Sequence, residues 1–349
     1  MKAWRSRAVG CVRGLAPLVG LVIAGGVIAG GVVAGGAPQT PALDELAAEV
    51  VDLWAEADLV CLGETHGSVL DAALREAVVR HPRFVETVEV IVVEFANPRH
   101  QAILDRLVLD GEDLSREQLR PVWRDAGLGA VWELELYESF LRAVAAANAG
   151  HPRARRPRIV GAALPIDWSA VEHAEDLADL PDRLDHFATV LRRESLAPAR
   201  KALAIFGRAH CERRVPAALA VAARDAPGRA RTVLAADPAL EPAHVRRVLG
   251  LDEADPMDTA RLVPVRDTAR ADRAADSLFF EGHAVAGLTL GNLTDAVVLH
   301  GRRDTVLSPP WVGSSPADAS PELPEELATE LARRARIWHE AQRERPHRN

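Results

Sequence analysis

Between residues 59 and 299, short apolar runs alternate with stretches whose apolar positions recur every three or four residues. Leu59–Gly63 (LVCLG), Val90–Phe95 (VIVVEF), Arg158–Ala163 (RIVGAA), Ala202–Phe206 (ALAIF), Arg231–Ala235 and Ala296–Leu299 read as strands. Their nearly unbroken apolar character is that of strands covered on both faces. Helical spacing fills Val69–Arg80, Arg99–Leu109, Ser115–Arg124, Trp132–Ala147 and Pro181–Ser195. This order predicts an α/β domain over residues 37–310, with a mostly parallel central sheet flanked by helices and an added helical segment. Residues 238–290 are rich in Asp, Arg and Pro, lack a clear period and receive no assignment. Residues 311–323 read as a linker, after which Pro324, Glu325 and Glu326 open a C-terminal helix over 324–345. Leu327, Leu331, Ala335 and Trp338 form its apolar stripe, and the helix is expected to dock on the domain.

The first 36 residues follow a different logic. Lys2, Arg5, Arg7 and Arg13 precede an uncharged apolar stretch from Gly14 to Gly36, and Pro38 and Pro41 end the run. Basic residues followed by such a stretch make an export signal, and the length also suits an uncleaved membrane anchor. Either way the domain is expected outside the cytoplasm, touching a membrane only through residues 14–36. The chain of 349 residues is 48% hydrophobic, enough for a sizeable core. Its net charge of −8 supplies no basic surface to track phosphates, so nucleic acid is not an expected partner. A small-molecule or peptide substrate is.

Three cysteines do not make a disulfide scaffold. Cys61 lies within the first strand, on the side opposite Leu62 and Glu64, and is expected to be a buried free thiol. A bond to Cys211 stays open for an exported protein.

The chemistry gathers at strand ends. Gly63-Glu64-Thr65-His66-Gly67 closes the first run, Glu94 the second, Asp167 follows the third, and Gly207-Arg208-Ala209-His210 closes the fourth. In parallel sheets the carboxyl ends of strands carry the site. Glu64 and His66, two apart, project to one side if the chain stays extended, as a base with its orienter or as two metal ligands. Gly63 and Gly67 permit the turn and leave room for a substrate. Arg183 and His186 share a face of their helix, either towards the crevice or paired with Asp182 or Asp185 in solvent. Arg75 has the same two readings, with Asp71 as the solvent-side partner. Trp168 reads as core, with ligand stacking as the alternative.

The succession G-E-x-H, strand-terminal Glu and second G-x-x-H resembles the superfamily uniting the Tiki proteases, the ChaN-like haem-binding proteins and the erythromycin esterases. The likeness runs over Leu59–Glu212, with a weaker echo at Thr294-Asp295-Ala296. Arg75 is similar to an arginine that the esterases place near their site. Local phrases such as PIDW and RLDHFATVL resemble uncharacterised exported bacterial proteins. The chain departs from the esterases, which carry one more residue between the first Glu and His. It departs from the ChaN-like proteins, whose haem ligation involves a tyrosine, because Tyr137 lies outside the motifs.

Three functions follow from the resemblance. The leading one is a hydrolase of ester or amide bonds, with His66 as base, Glu64 and Glu94 orienting it, His210 as acid, and Arg183 or Arg75 at the developing negative charge. A Tiki-like version places a divalent metal on His66, His210 and Glu64 or Glu94. The second is haem or iron carriage through His66 and His210, and the third a non-catalytic interaction protein.

Overall fold

The computed structural model describes residues 40–127, 130–275, 278–279, 287–301 and 324–344. The expected export segment over 1–36 and the linker over 311–323 lie outside the described residues. No described helix is long and apolar enough to cross a membrane.

Seven strands form one sheet: β1 (Leu59–Glu64), β2 (Val90–Val93), β3 (Arg158–Gly161), β4 (Ala202–Gly207), β5 (Ala230–Ala235), β6 (Arg261–Pro264) and β7 (Ala296–Leu299). Their spatial order is β3-β2-β4-β1-β5-β7-β6, parallel except for the β6–β7 pair. The α/β class and the parallel sheet are therefore as the apolar runs predict. β6 falls in the unassigned stretch, as does a helix at Pro242–Leu249. β6 is a four-residue edge strand with one fully buried side chain, so it lacks the apolar run that marks the inner strands. A helix at Pro41–Asp52, capped by Thr40, precedes the first expected element.

Alternation along each strand divides the core between the sheet's two faces. Val60, Leu62, Ile91, Val93, Leu203 and Ile205 pack on one face beneath the helices Pro41–Asp52, Val69–Arg80 and Glu135–Asn148. Leu59, Cys61, Val90, Val92, Ala202 and Ala204 pack on the other, against Arg183–Leu191, Ala218–Ala222 and Pro242–Leu249. The C-terminal helix Glu325–Glu344 lies on Leu164, Ile166, Trp168 and Val171. Its deepest apolar side chains are Leu331, Ile337 and Ala341, so the contact stripe is turned from the expected one towards Ile337 and Ala341. Arg334 sits in that stripe because its guanidinium covers Trp168 at 5.1 Å and donates to the Arg124 carbonyl at 2.8 Å.

Cys61 and Cys211 form a disulfide, which corrects the expectation of a free thiol. Cys61 does face away from the side of Leu62, but that is the face on which the turn Arg208–Cys211 packs. Gly63 serves this packing rather than a turn: a Cβ there would stand 3.1 Å from Arg208 Cα and 3.3 Å from Cys211 Cβ. The bond closes a loop of 150 residues. Replacing both cysteines by Ala is expected to lower the unfolding free energy by about 2–5 kcal/mol, measured by urea denaturation. An unchanged urea midpoint would show that the cross-link does not stabilise the fold.

Candidate active site

The chain leaves β1 and β4 in opposite directions, β1 running on to β2 and β4 to β5, which opens a crevice at their carboxyl ends. Glu64 is the last residue of β1 and Glu94 directly follows β2, while His210 lies in the first turn after β4. Both carboxylates are buried, Glu64 with 6% and Glu94 with 2% of its surface exposed. Burying a carboxylate unpaired is costly, and each here has a guanidinium and further donors.

Glu64 binds Arg75 through one oxygen, and its other oxygen accepts from Tyr137 Oη at 3.1 Å and from His66 Nδ1 at 3.0 Å. Arg75 lies beside the rings of Tyr137, Phe95 and Phe140, with its Cζ 4.9, 5.6 and 5.4 Å from their centroids, and donates to the Leu136 carbonyl at 3.0 Å. Asp71 is therefore not its partner. That carboxylate instead accepts from the Thr65 amide at 2.8 Å and meets His300 Nε2 at 2.7 Å, fixing the loop between Glu64 and His66. Gly67 completes this loop at φ +83°, a left-handed conformation that glycine adopts without strain, and its amide donates to Tyr137 Oη at 3.3 Å.

Glu94 is held by Arg183, by the Gly207 amide at 2.6 Å and by His210 Nε2 at 3.5 Å. Gly207 pairs in register with Glu64, and a Cβ on it would stand 2.7 Å from His66 Nε2, so the imidazole occupies the space that glycine leaves. Arg183 is not paired with Asp182, because that side chain caps the helix by accepting from the amides of Leu184 and Asp185. The Arg183 guanidinium covers Phe187 at 5.2 Å and its side chain remains 47% exposed. His210 stands edge-on to Phe187, and its Nδ1 is buried without a hydrogen-bond partner among the described residues.

His66 joins the two carboxylates. Its ring rests edge-on against Trp132 with centroids 4.6 Å apart. The hydrogen bond to Glu64 fixes the proton on Nδ1, so Nε2 carries the lone pair. Nε2 is 3.9 Å from Glu94, beyond hydrogen-bond distance, and has no hydrogen-bond partner among the described residues. His66 lines a cavity of about 220 Å³ together with Glu94, Trp132, Trp168, Arg183 and Phe187. Burial pulls the pKa of His66 down, but the hydrogen bond and charge of Glu64, with the charge of Glu94, overcome this and hold it above 6.5. Burial pushes Glu94 up, yet His210, His66 and Arg183 together bring it down to about 2. Burial and the charge of Glu64 push the Tyr137 phenol up, so it stays protonated and donates.

Two expected site residues lie elsewhere. Asp167 pairs with Arg99 at 2.6 Å and lines a neighbouring cleft, because β3 ends at Gly161 on the margin of the sheet and the chain then leaves it. His186 donates from Nε2 to the Ala163 carbonyl at 3.2 Å, so it faces neither solvent acids nor the carboxylate cluster, and burial lowers its pKa. Conversely, Tyr137, Trp132 and the Asp71–His300 pair belong to the site although no motif carries them. A signal existed for one: Tyr137 is the single tyrosine of the chain, on a helix with a buried face, and a buried hydroxyl needs a polar partner.

A divalent metal does not fit. Among the described residues, no three His, Cys, Asp or Glu side chains are grouped as ligands of one ion. The oxygens of Glu64 and Glu94 carry Arg75 and Arg183, which already supply the compensating positive charge. For haem, His66 lines the cavity and keeps Nε2 unbonded among the described residues, whereas His210 Nε2 is turned to Glu94 and Tyr137 is engaged by Glu64.

No protein-family model matches the chain. No curated protein matches it either. Among solved structures, a crystal structure of a Bacillus cereus protein is similar over 73% of this chain and 91% of its own, at 12% identity and a TM-score of 0.45. A structure of ChaN of Campylobacter jejuni with cofacially bound haem is similar over 56% of this chain and 87% of its own, at 14% identity and a TM-score of 0.35.

The depressed pKa of Glu94 has a consequence for stability. Folding favours its charged form, so its contribution is complete above its ordinary value of 4.5 and is lost as pH falls towards 2. Glu94→Gln is expected to flatten the decline of the urea midpoint between pH 4.5 and 2. An equally steep decline in the variant would assign the acid sensitivity to other groups.

Proposed function

We propose that this chain is a hydrolase of ester or amide bonds in which His66 acts as general base, without a metal. The observation that carries this reading is the arrangement of the two imidazole nitrogens: Nδ1–H held by a buried Glu64, and Nε2 left without a hydrogen bond among the described residues, in a residue that lines a largely aromatic cavity. In this reading Nε2 takes a proton from a water molecule as the water oxygen attacks the substrate carbonyl. The imidazolium is stabilised by Glu64 and, at longer range, by Glu94. Arg183 lines the same cavity and has donors beyond the one on Glu94, so it can stabilise the oxyanion. Collapse of the tetrahedral intermediate breaks the bond to the leaving group, which receives the proton from His66. Arg75 and His210 are positioning residues, acting through Glu64 and Glu94.

The location proposed is extracytoplasmic. Support comes from the basic, then apolar, N-terminal sequence and from the Cys61–Cys211 disulfide, a bond that persists in oxidising compartments.

With a panel of aryl and alkyl esters, His66→Ala is expected to lower kcat/KM by about 10²–10⁴-fold with the fold retained. Because the neutral imidazole is the base, kcat/KM should rise with pH through an apparent pKa above 6.5. Removing the neighbouring charge in Glu64→Gln should move that rise to lower pH. Turnover unaffected by His66→Ala would reject the assignment.

The open Nε2 in an aromatic cavity also favours a second reading, in which His66 ligates haem iron. Haem titration should then give a saturable Soret shift that His66→Ala removes and Tyr137→Phe leaves in place. An absorbance that tracks Tyr137 instead would contradict the geometry of the site.

A further inference from the structure

The C-terminal helix touches the candidate active site. Trp338, on Glu325–Glu344, lines the same cavity as His66 and Arg183. The helix is fixed to the segment forming that wall: Arg333 donates to the carbonyls of Val171 at 2.7 Å and Trp168 at 3.3 Å, while Ile337 packs among Leu164, Ile166 and Trp168. Arg334 adds an ion pair to Asp125 at 3.1 Å. Trp338 itself is partly buried against the same cluster.

The cavity is unusually aromatic for this chain. Only 4% of all residues are Phe, Trp or Tyr, yet Trp132, Trp168 and Trp338, three of the seven tryptophans, line this one space together with Phe187. Flat rings on several sides select a flat guest, because ring pairs gain energy beyond the area they bury. The polar lining is His66, Arg183 and the carboxylate of Glu94, which Arg183 neutralises; the guanidinium donors not engaged by Glu94 suit a carboxylate or the carbonyl of its ester. Size narrows the guest further. An apolar cavity of about 150 Å³ holds benzene, so about 220 Å³ takes one or two fused rings with a small polar group.

We infer that the C-terminal helix, through Trp338, completes a specificity pocket for a small aromatic carboxylic acid or its ester, lying with its rings among the tryptophans and its carboxyl group at Arg183 and His66. This rests on the hydrolase reading for its chemistry, and its binding step needs no turnover. The acid is the product of the proposed hydrolysis, so it also reports on how the acyl part of the substrate is held.

The test is calorimetric titration of the full chain with 2-naphthoate and, for comparison, with decanoate. Wild type should bind 2-naphthoate more tightly than decanoate. Trp338→Ala should weaken naphthoate by about three- to tenfold, the scale of one aromatic contact. Arg336→Ala, on the exposed side of the same helix, should leave the affinity unchanged. Trp338→Leu, which keeps an apolar side chain but no flat face, should also weaken it and stands in if the Ala variant fails to fold. Equal affinity in wild type and the folded Trp338 variant, tighter binding of decanoate, or no naphthoate binding would each overturn the inference. Ester turnover persisting in any of those cases would leave the hydrolase standing, whereas naphthoate selectivity without turnover would remove the hydrolase and keep the pocket.

Discussion

Two carboxylates buried at the ends of β1 and β2, the strands that flank β4, govern the rest of this molecule. Glu64 and Glu94 sit where the sheet is covered by helices, and neither could remain charged there alone. Arg75 answers the first and is in turn surrounded by Phe95, in the turn after β2, and by Tyr137 and Phe140, so the helix Glu135–Asn148 that carries the last two closes over it. Arg183 answers the second from the far side of the crevice. The remaining oxygen valences then dictate where Tyr137, the Gly207 amide and the histidines stand.

From this pairing follows the asymmetry of His66. Glu64 accepts a hydrogen bond from its Nδ1–H at 3.0 Å, while Glu94 approaches Nε2 only to 3.9 Å, near enough to act through charge and too far to bond. The ring is thereby oriented by one carboxylate and kept reactive beside the other. Gly207 matters because a Cβ there would stand 2.7 Å from Nε2 and crowd the ring out of its place. The Cys61–Cys211 bond fastens the turn that carries His210 to β1, so the two halves of the site are linked covalently as well as through the sheet.

Much of the fold could be read along the chain because the inner strands are covered on both faces and so are apolar throughout. β6 escaped because an edge strand needs no such run. The strand-end rule brings Glu64, His66, Glu94 and His210 together, because their strands β1, β2 and β4 are contiguous in the interior of the sheet. It failed for Asp167, since β3 is the margin and its exit leads away from the crevice. Arg75 and Arg183 were each balanced between crevice and solvent. What decided them was a cap and a loop: Asp182 is committed to its helix terminus and Asp71 to the Thr65 amide, leaving both guanidiniums for the buried acids.

By itself the sequence determined the alternation of strand and helix, the parallel sheet and the chemical character of its strand ends, because hydrophobic period and residue type are local properties. Only the tertiary structure decided which acid each arginine neutralises, that Tyr137 and three distant tryptophans join the site, and that Cys61 meets Cys211. Those outcomes depend on the order of strands across the sheet and on which helix covers which face. That order is a matter of global packing, and no window of neighbouring residues contains it.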